Sequence, residues 1–351
     1  MIRAKPEVEG LSAYSAPLEG RRGKLRLDFN ENTVGPSPKV IEVLRTFDPA
    51  SVATYPEYDG LASAYALAVG IPSEHVSPFN GVDAAIRAVF DAFGAVGRTF
   101  LTTSPTFGYY GPCAAQQGMK LEAIPYTSGL DFPEGAFADA LAASPLLCFI
   151  CNPNNPTGTL LSGDTILAFA RRAPDTLVVV DELYADFTGV TVLPEALTLP
   201  NVVVLRSLSK SHGLAALRVG FAVGSPAVLD RLQRVTGPYD LNSLAVAAAH
   251  AALSDEAYKN AYVSEVLSAK AWTVTELERR GERFHTAGGN YMLVWPSGSL
   301  AAVVEGLSAA GVLVRSMAGK PLIGESFRLT IGTRDQMARF MAVFDAVRVA
   351  P

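Results

Sequence analysis

Polar side chains follow three apolar runs of the sequence, and together they could build a site for chemistry. The runs are LLCFIC at 146–151, TLVVV at 176–180 and NVVVL at 201–205. The polar residues that follow them or the next apolar segment are Asn155, Asp181, Tyr184, Ser207, Ser209, Lys210 and Arg218. One such residue alone is most often a turn or cap residue. Because ligands of open α/β sheets bind beyond the carboxyl ends of the strands, the whole set predicts one ligand site.

Lys210 and Asp181 have the residue types and surroundings of reactive groups. Lys210 lies among small and apolar residues in LSKSHGLAAL, where an amine is unfavourable unless it is neutral or hydrogen-bonded. The chemistry that uses such a lysine is Schiff-base formation with a carbonyl compound. Asp181 follows four apolar residues, and a carboxylate in that setting needs a cationic partner.

Pyridoxal phosphate would satisfy this set of residues. Its aldehyde would take the lysine, and its protonated ring nitrogen would take the carboxylate, which keeps the ring a strong electron sink. Its ring oxygen needs donors such as an Asn amide and a Tyr hydroxyl, and its phosphate needs hydroxyls, an arginine and a helix N-terminus. The segment FNGVDAAIRAVF at 79–90 predicts that helix N-terminus, and Phe107 is a candidate to stack on the ring.

The elements that must position these residues are predicted from alternating patterns. After Pro36, helical patterns alternate with short, almost continuously apolar runs. Such runs indicate strands buried on both faces, and therefore an α/β fold with a mainly parallel sheet flanked by helices. After residue 237, two long helical stretches precede the strand-like runs NYMLVW, GVLVRSM and FRLTIG. The predicted organisation is an arm at 1–30, a large domain at 31–237 and a smaller α+β domain at 238–351.

Composition argues against several classes of function. The chain has 351 residues, a formal net charge of −5 and 49% hydrophobic residues, so we expect a large core and no nucleic-acid partner. It has no apolar run of membrane-spanning length, and its first residues do not resemble a secretion signal. The four histidines are widely spaced, so no metal site is predicted.

Cys148 and Cys151 form a C-x-x-C pattern that has two interpretations. Redox motifs of this kind normally begin a helix, whereas these residues lie in a strand-like run in which positions three apart face opposite sides. With only three cysteines in the chain, we expect packing residues in a reducing, cytoplasmic environment.

Three longer segments resemble a known family. SLSKSHGLAALRVG, NNPTG followed by VVVDELY, and LDFNENTVGPSP are similar to the fold-type I pyridoxal-phosphate aminotransferases, and closest to their histidinol-phosphate aminotransferase branch. The resemblance extends from the arm to FRLTIGTRDQ. It implies an aspartate-aminotransferase-like fold, a homodimer with shared active sites and pyridoxal phosphate as the cofactor.

The resemblance implies a role for each matching residue of the cofactor site. Lys210 would bind the aldehyde and move the substrate proton, and Asp181 would pair with the ring nitrogen. Asn155 and Tyr184 would bind the ring oxygen. The phosphate would contact Ser207, Ser209, Arg218, the backbone of Val82 and Asp83, and Tyr55 of the neighbouring subunit.

The resemblance also implies a substrate site. Tyr14, Arg315 and Arg328 match residues that hold a substrate phosphate in the histidinol-phosphate branch, while in the wider superfamily the FRLTIG arginine binds a substrate carboxylate. Arginine forks suit both kinds of anion. This chain departs from the branch pattern in NENTVG, in Phe107 and in His212. For His212 we expect a packing or capping role.

The leading functional hypothesis is reversible, ping-pong transfer of an amino group between L-histidinol phosphate and 2-oxoglutarate, with imidazole-acetol phosphate and L-glutamate as products. The alternatives on the same scaffold are an aromatic or broad-specificity amino-acid aminotransferase and a decarboxylase of phosphorylated amino acids. A nicotinamide dehydrogenase or a serine hydrolase is disfavoured because the chain has no G-x-G-x-x-G and no G-x-S-x-G.

Overall fold

The computed structural model describes residues 2–11 and 19–348, which form two sheets with helices packed around them. The strands are β1 (Leu25–Leu27), β2 (Val76–Asn80), β3 (Thr99–Ser104), β4 (Lys120–Pro125), β5 (Leu147–Cys151), β6 (Leu177–Asp181), β7 (Val202–Ser207), β8 (Val219–Gly224), β9 (Arg283–His285), β10 (Tyr291–Trp295), β11 (Val312–Ser316) and β12 (Phe327–Thr330). The helices are α1 (Pro6–Glu9), α2 (Pro38–Arg45), α3 (Pro49–Val52), α4 (Leu61–Val69), α5 (Val82–Phe93), α6 (Tyr110–Gln116), α7 (Glu134–Ala142), α8 (Gly163–Arg172), α9 (Leu193–Ala196), α10 (Pro226–Arg234), α11 (Ser243–Leu253), α12 (Glu256–Arg279), α13 (Leu300–Ala309) and α14 (Arg334–Val347).

The large sheet has seven strands in the order β2-β8-β7-β6-β5-β3-β4. The strands from β7 to β4 are mutually parallel, and β8 is antiparallel to both of its neighbours. Every residue of β5 and β6 is buried, because helices cover both faces of these central strands. The predicted α/β fold with a mainly parallel sheet is therefore confirmed.

Two separate cores cover the two faces of the large sheet. Successive residues of β5 point to opposite faces of the sheet, so that Cys148 packs in one core and Cys151 in the other. All three cysteines are free thiols. Helices α4, α7, α8 and α11 contribute to the first core, and α5, α6 and α10 contribute to the second. In the described parts of the chain, no helix is both long and apolar enough to cross a membrane.

The second sheet has five strands in the order β1-β11-β12-β10-β9. Strand β1 pairs in parallel with β11, and the remaining pairs are antiparallel. Its core contains α12, α13 and α14, of which α14 begins with a capping box formed by Thr333 and Gln336. Because β1 belongs to this sheet, the chain that follows it, residues 28–32, passes close to the end of the large sheet.

Three strands and one helix differ from simple expectation. Strands β1, β2 and β9 are not predicted from the sequence, because β1 and β9 have only three residues each and β2 contains Pro78. Helix α11 lies after residue 237 in sequence, yet its residues pack in a core of the large sheet. The division into an arm, a large domain and a small domain stays a prediction.

Candidate active site

A cavity of about 340 Å³ lies at the carboxyl ends of β5, β6 and β7, between the two sheets. Within the described residues, all of the predicted site residues line it except Tyr55. The predicted residues that line it are Val82, Asp83, Phe107, Asn155, Asp181, Tyr184, Ser207, Ser209, Lys210, Arg218, Arg315 and Arg328. Tyr14 lies outside the described residues. The parallel strands thus bring together side chains that are far apart in sequence.

Lys210 follows the end of β7 and points into the cavity. Its Nζ donates a hydrogen bond to the backbone oxygen of Phe29 at 3.1 Å. Burial, and then the nearby charge of Arg328, lower the pKa of Lys210 to about 8. The amine is therefore neutral more often than that of a solvated lysine, which is the state that reacts with a carbonyl carbon.

Asp181 is the last residue of β6 and is almost fully buried. Its carboxylate accepts hydrogen bonds from the Tyr110 hydroxyl at 2.5 Å and from the Leu183 N–H at 3.3 Å. Burial raises the pKa of Asp181 to about 6. Within the part of the chain that the structure describes, no lysine, arginine or histidine forms an ion pair with it. A cationic ring nitrogen would supply the missing partner.

Tyr184 and Asn155 lie side by side on the same wall. The Asn155 amide donates to the Tyr184 hydroxyl oxygen at 3.4 Å, and the Asn30 amide donates to it at 3.0 Å. Burial is the main cause that raises the pKa of Tyr184, so the phenol keeps its proton. A protonated phenol beside an amide is a donor set suited to an anionic ring oxygen.

The predicted phosphate cradle surrounds the N-terminus of α5. Gly81 precedes the helix with a φ of 76°, and no side chain in the described part of the protein caps the helix. The Ser209 N–H donates to the Ser207 hydroxyl at 3.0 Å, and the Arg218 guanidinium pairs with Asp83 at 2.9 Å. An uncapped helix N-terminus beside hydroxyls and a guanidinium is a favourable place for a phosphate.

Arg315 and Arg328 form a pair at the other end of the cavity, directly opposite each other across β11 and β12. Arg328 is buried, and it donates to the Asp28 backbone oxygen at 2.7 Å and to the Asn155 side-chain oxygen. Its Nε has no hydrogen-bond partner among the described residues, and burial lowers the pKa of the Arg328 guanidinium. In the described residues neither arginine forms an ion pair with a carboxylate, so both are available to an anionic ligand.

Tyr55 and His212 lie outside this cavity. Tyr55 is 74% exposed and stacks on Tyr239 with ring centroids 4.1 Å apart. The His212 Nδ1 lies 3.0 Å from the Ser211 hydroxyl, and burial lowers the pKa of His212 to about 4. His212 is thus a neutral packing residue of the described structure, while the predicted contact of Tyr55 involves a second subunit.

Asn30, Tyr110 and Lys320 also belong to the site or contact its residues, although the sequence patterns did not indicate them. Asn30 is part of the LDFNEN segment that carried the resemblance, and Tyr110 follows Phe107 by three residues, but neither received a role. Lys320 lines the cavity in the turn between β11 and β12. Their positions depend on contacts between distant segments, which residue patterns alone do not reveal.

Comparison with known proteins identifies the family. The model of aminotransferase class I and II matches residues 22–344. The chain belongs to the class I and II aminotransferases. Members of this family depend on pyridoxal phosphate, so the predicted enzyme class and cofactor are confirmed.

Curated relatives and solved structures cover nearly the whole chain. A histidinol-phosphate aminotransferase of Symbiobacterium thermophilum is 34% identical, with 98% of this chain and 96% of the relative aligned. Histidinol-phosphate aminotransferase 1 of Trichormus variabilis is 31% identical, with 95% of both chains aligned. The histidinol-phosphate aminotransferase of Sinorhizobium meliloti, solved with pyridoxal-5'-phosphate, superimposes with a TM-score of 0.91 at 22% identity, covering 99% of this aminotransferase and 98% of the other chain. This last similarity shows the fold.

The residues of the cavity fit the cofactor. One cavity is surrounded by a buried lysine of lowered pKa, by a buried carboxyl group and by a helix N-terminus with Arg218. Among the residues that the structure describes, the carboxyl group has no cationic partner and the helix has no capping side chain. These are the three kinds of partner that an aldehyde, a pyridine nitrogen and a phosphate require.

Proposed function

We propose that this aminotransferase acts on L-histidinol phosphate with 2-oxoglutarate as the amino acceptor, in the service of histidine biosynthesis. The observation that carries the proposal is the pair Arg315 and Arg328, which lies at the substrate end of the cavity without a carboxylate partner in the described chain. The names of the curated relatives support the same substrate.

The charges around the cavity favour anionic ligands. The cationic side chains that line it are Lys210, Arg218, Arg315, Lys320 and Arg328, whereas the acidic ones are Asp83 and Asp181. One cation and one acid, Arg218 and Asp83, pair with each other. The cofactor phosphate would use part of the positive excess. The rest suits a phosphate ester in one half-reaction and the two carboxylates of glutamate in the other.

The chain would contribute positioning and proton transfer to the reaction. When bound, pyridoxal phosphate supplies an aldehyde that captures amino groups and a ring that accepts electron density. Lys210 would hold the cofactor covalently and, once released, would take and return the substrate proton through Nζ. Asp181 would keep the ring nitrogen protonated through its negative charge. Tyr184 and Asn155 would donate to the ring oxygen.

The proposal predicts that the arginine pair favours L-histidinol phosphate over aromatic amino acids, and this preference can be measured. The half-reaction with L-histidinol phosphate is compared with those of phenylalanine and tyrosine in the wild type and in Arg315→Ala, by the change in cofactor absorption. We expect ping-pong kinetics and a loss of about 10- to 100-fold in kcat/KM for L-histidinol phosphate in Arg315→Ala, with phenylalanine changed by less than about threefold.

Two further variants control for charge. Arg315→Lys keeps the charge but loses the planar fork, so we expect an intermediate loss. Arg26→Ala removes an exposed arginine of β1 and should change neither half-reaction. Faster turnover of phenylalanine or tyrosine than of L-histidinol phosphate, with equal losses in Arg315→Ala, would contradict the proposal and favour the aromatic aminotransferase.

We also propose a cytoplasmic homodimer with shared active sites. Its support is a group of exposed apolar side chains on segments that contact each other: Val52 of α3, Leu244 of α11, and the stacked Tyr55 and Tyr239. Exposed apolar groups of this kind are typical of protein interfaces. The three free thiols suit a reducing compartment. Light scattering of the purified protein measures the mass of the assembly.

A further inference from the structure

A polar network joins the chain after β1 to the Tyr184 hydroxyl. The Asn30 amide donates to the Tyr184 oxygen at 3.0 Å, and both side chains are buried. The Asn30 backbone N–H donates to the Thr330 hydroxyl at 2.9 Å, and the Thr330 hydroxyl donates to the Asn30 side-chain oxygen at 3.1 Å. Because Thr330 donates to that oxygen, the NH₂ group of Asn30 must face Tyr184.

The second amide beside Tyr184 is oriented in the same way. Arg328 donates to the side-chain oxygen of Asn155, which leaves the Asn155 NH₂ group facing the Tyr184 hydroxyl at 3.4 Å. The phenol oxygen therefore accepts from two amides. Among the described residues, its own proton has no acceptor, and the remaining direction opens into the cavity that Tyr184 lines.

The backbone of Asn30 shows that its place in this network is built into the fold. Its φ is 55°, a left-handed conformation that asparagine and glycine tolerate better than other residues. Its backbone oxygen accepts from the Asn290 amide at 3.2 Å. Asn290 directly precedes β10 and Thr330 is the last residue of β12, so the second sheet holds Asn30 against Tyr184, which follows β6 of the large sheet.

We propose that Asn30 is a positioning residue that, with Thr330, orients the Tyr184 hydroxyl so that its proton is donated into the cavity, toward the ring oxygen of the cofactor. This inference rests on the proposed cofactor contact of Tyr184. A donated hydrogen bond stabilises the anionic ring oxygen and so favours the deprotonated form of the Lys210–cofactor link. Loss of that bond should raise the pH at which the link titrates.

The test is a pH titration of the visible absorption of the cofactor-loaded protein, without substrate. Asn30→Asp keeps the shape and the left-handed backbone but presents an acceptor to Tyr184, which turns the phenol proton away from the cavity. We expect its midpoint to rise by about one pH unit, as in Tyr184→Phe, and that of Asn30→Gly to rise by about half a unit. Asn30→Asp combined with Tyr184→Phe should shift no further than Tyr184→Phe alone.

Controls separate this role from general loosening of the segment. Asn32 lies in the same stretch, and its amide donates to the Ser211 backbone oxygen rather than to Tyr184. Asn32→Ala should leave the midpoint within about 0.2 units. An unchanged midpoint in Asn30→Asp, or an equal shift in Asn32→Ala, would overturn the inference. If Tyr184→Phe also leaves the midpoint unchanged, the proposed contact of Tyr184 is itself wrong.

Discussion

The buried position of the Asp181 carboxylate is unfavourable in the cofactor-free protein and becomes favourable when a cationic ligand binds beside it. It is 2% exposed, and its hydrogen bonds within the described chain come from Tyr110 and the Leu183 N–H. Burial raises its pKa from 3.8 to about 6. Between these values the folded state binds more protons than the unfolded state, so stability falls as the pH rises through this window. Above pH 6 the full penalty remains until a cation binds.

Asp181→Asn should therefore stabilise the cofactor-free protein. The amide keeps an acceptor for Tyr110 but has no charge to bury, so we expect about 1–3 kcal/mol of added stability at pH 7.5. The gain should decline below pH 6 and vanish at about pH 3, where the carboxyl group is protonated in both the folded and the unfolded wild type. Urea unfolding of the cofactor-free protein across this pH range measures the effect. The same variant should lose most of its aminotransferase activity.

Asp186 provides a matched control of opposite sign. Burial is the largest single effect on its pKa and would raise it, but Arg206, the Ser211 hydroxyl and the other nearby cationic groups together outweigh burial, so that the pKa of Asp186 lies below the usual value. Ionised Asp186 therefore stabilises the fold at neutral pH, and Asp186→Asn should destabilise it at pH 7.5. If both variants change stability in the same direction, electrostatic burial is not the cause of the Asp181 effect.

A site residue could be predicted from the sequence when it lies at the end of a buried strand or just after it. Asp181 and Lys210 come at or just after buried strands, and the edge where parallel strands end is shared. Asn30 and Tyr110 were not predictable in this way. Asn30 donates a hydrogen bond to Tyr184, 154 residues away, and Tyr110 donates one to Asp181, 71 residues away. A single contact of this kind leaves no periodic pattern in the sequence.

At the scale of elements, the turn before α5 determines how the phosphate cradle is shaped. Gly81 has a φ of 76°, and a Cβ atom there would lie 2.4 Å from Nη2 of Arg218. A side chain at this position would thus meet both an unfavourable backbone conformation and the guanidinium that pairs with Asp83. Gly81 lets Arg218 approach the helix N-terminus.

Gly81→Ala should weaken cofactor binding more than stability alone explains. The methyl group would displace Arg218 from the cradle, and we expect a dissociation constant for pyridoxal phosphate about tenfold higher or more. The backbone strain should also cost roughly 1 kcal/mol of stability. Cofactor fluorescence titration and urea unfolding measure the two effects separately.

Gly97 is the matched control for this turn. Its φ is 75°, but a Cβ atom there would meet nothing within 4 Å. Gly97→Ala should therefore lose a similar amount of stability while binding the cofactor as tightly as the wild type. Equal weakening of cofactor binding in both variants would show that strain, not displacement of Arg218, is responsible.

The strands that could be predicted from the sequence are the ones that are buried on both faces. Strands β5, β6 and β7 are covered on both faces, so their sequences are nearly continuous apolar runs that mark a parallel sheet. Strand β1 has three residues with only two buried, and it pairs with a strand almost 290 residues later in the chain (312 − 25 = 287). Nothing within such a short segment indicates that partner.

At the scale of the whole molecule, the cavity requires both sheets. The large sheet supplies Asp181 and Lys210, the small sheet supplies Arg315 and Arg328, and residues 28–32 contact both sets. Tyr55 is the only one of the predicted site residues within the described chain that does not line this cavity. Its exposed position fits a contribution to the cavity of a second subunit.

Complementation between two variants tests this sharing of sites. A Tyr55→Ala chain retains Lys210, and a Lys210→Ala chain retains Tyr55, so each homodimer should have low activity. A heterodimer of the two would contain one site with both residues. Co-expression at equal levels makes half of the dimers mixed, and we expect activity to recover to about one quarter of the wild type.

Placing both substitutions on one chain removes that complete site. A heterodimer of the wild type with the doubly substituted chain has one cavity without Lys210 and one without the Tyr55 of its partner. It should add little activity beyond that of the remaining wild-type dimers, although the number of altered side chains is the same. If heterodimers form, as tags of different mass would show, both mixtures should therefore have about one quarter of the wild-type activity. Almost no activity in the first mixture and about one half in the second would show that Tyr55 acts within its own subunit. About one half in both mixtures would show that Tyr55 is dispensable.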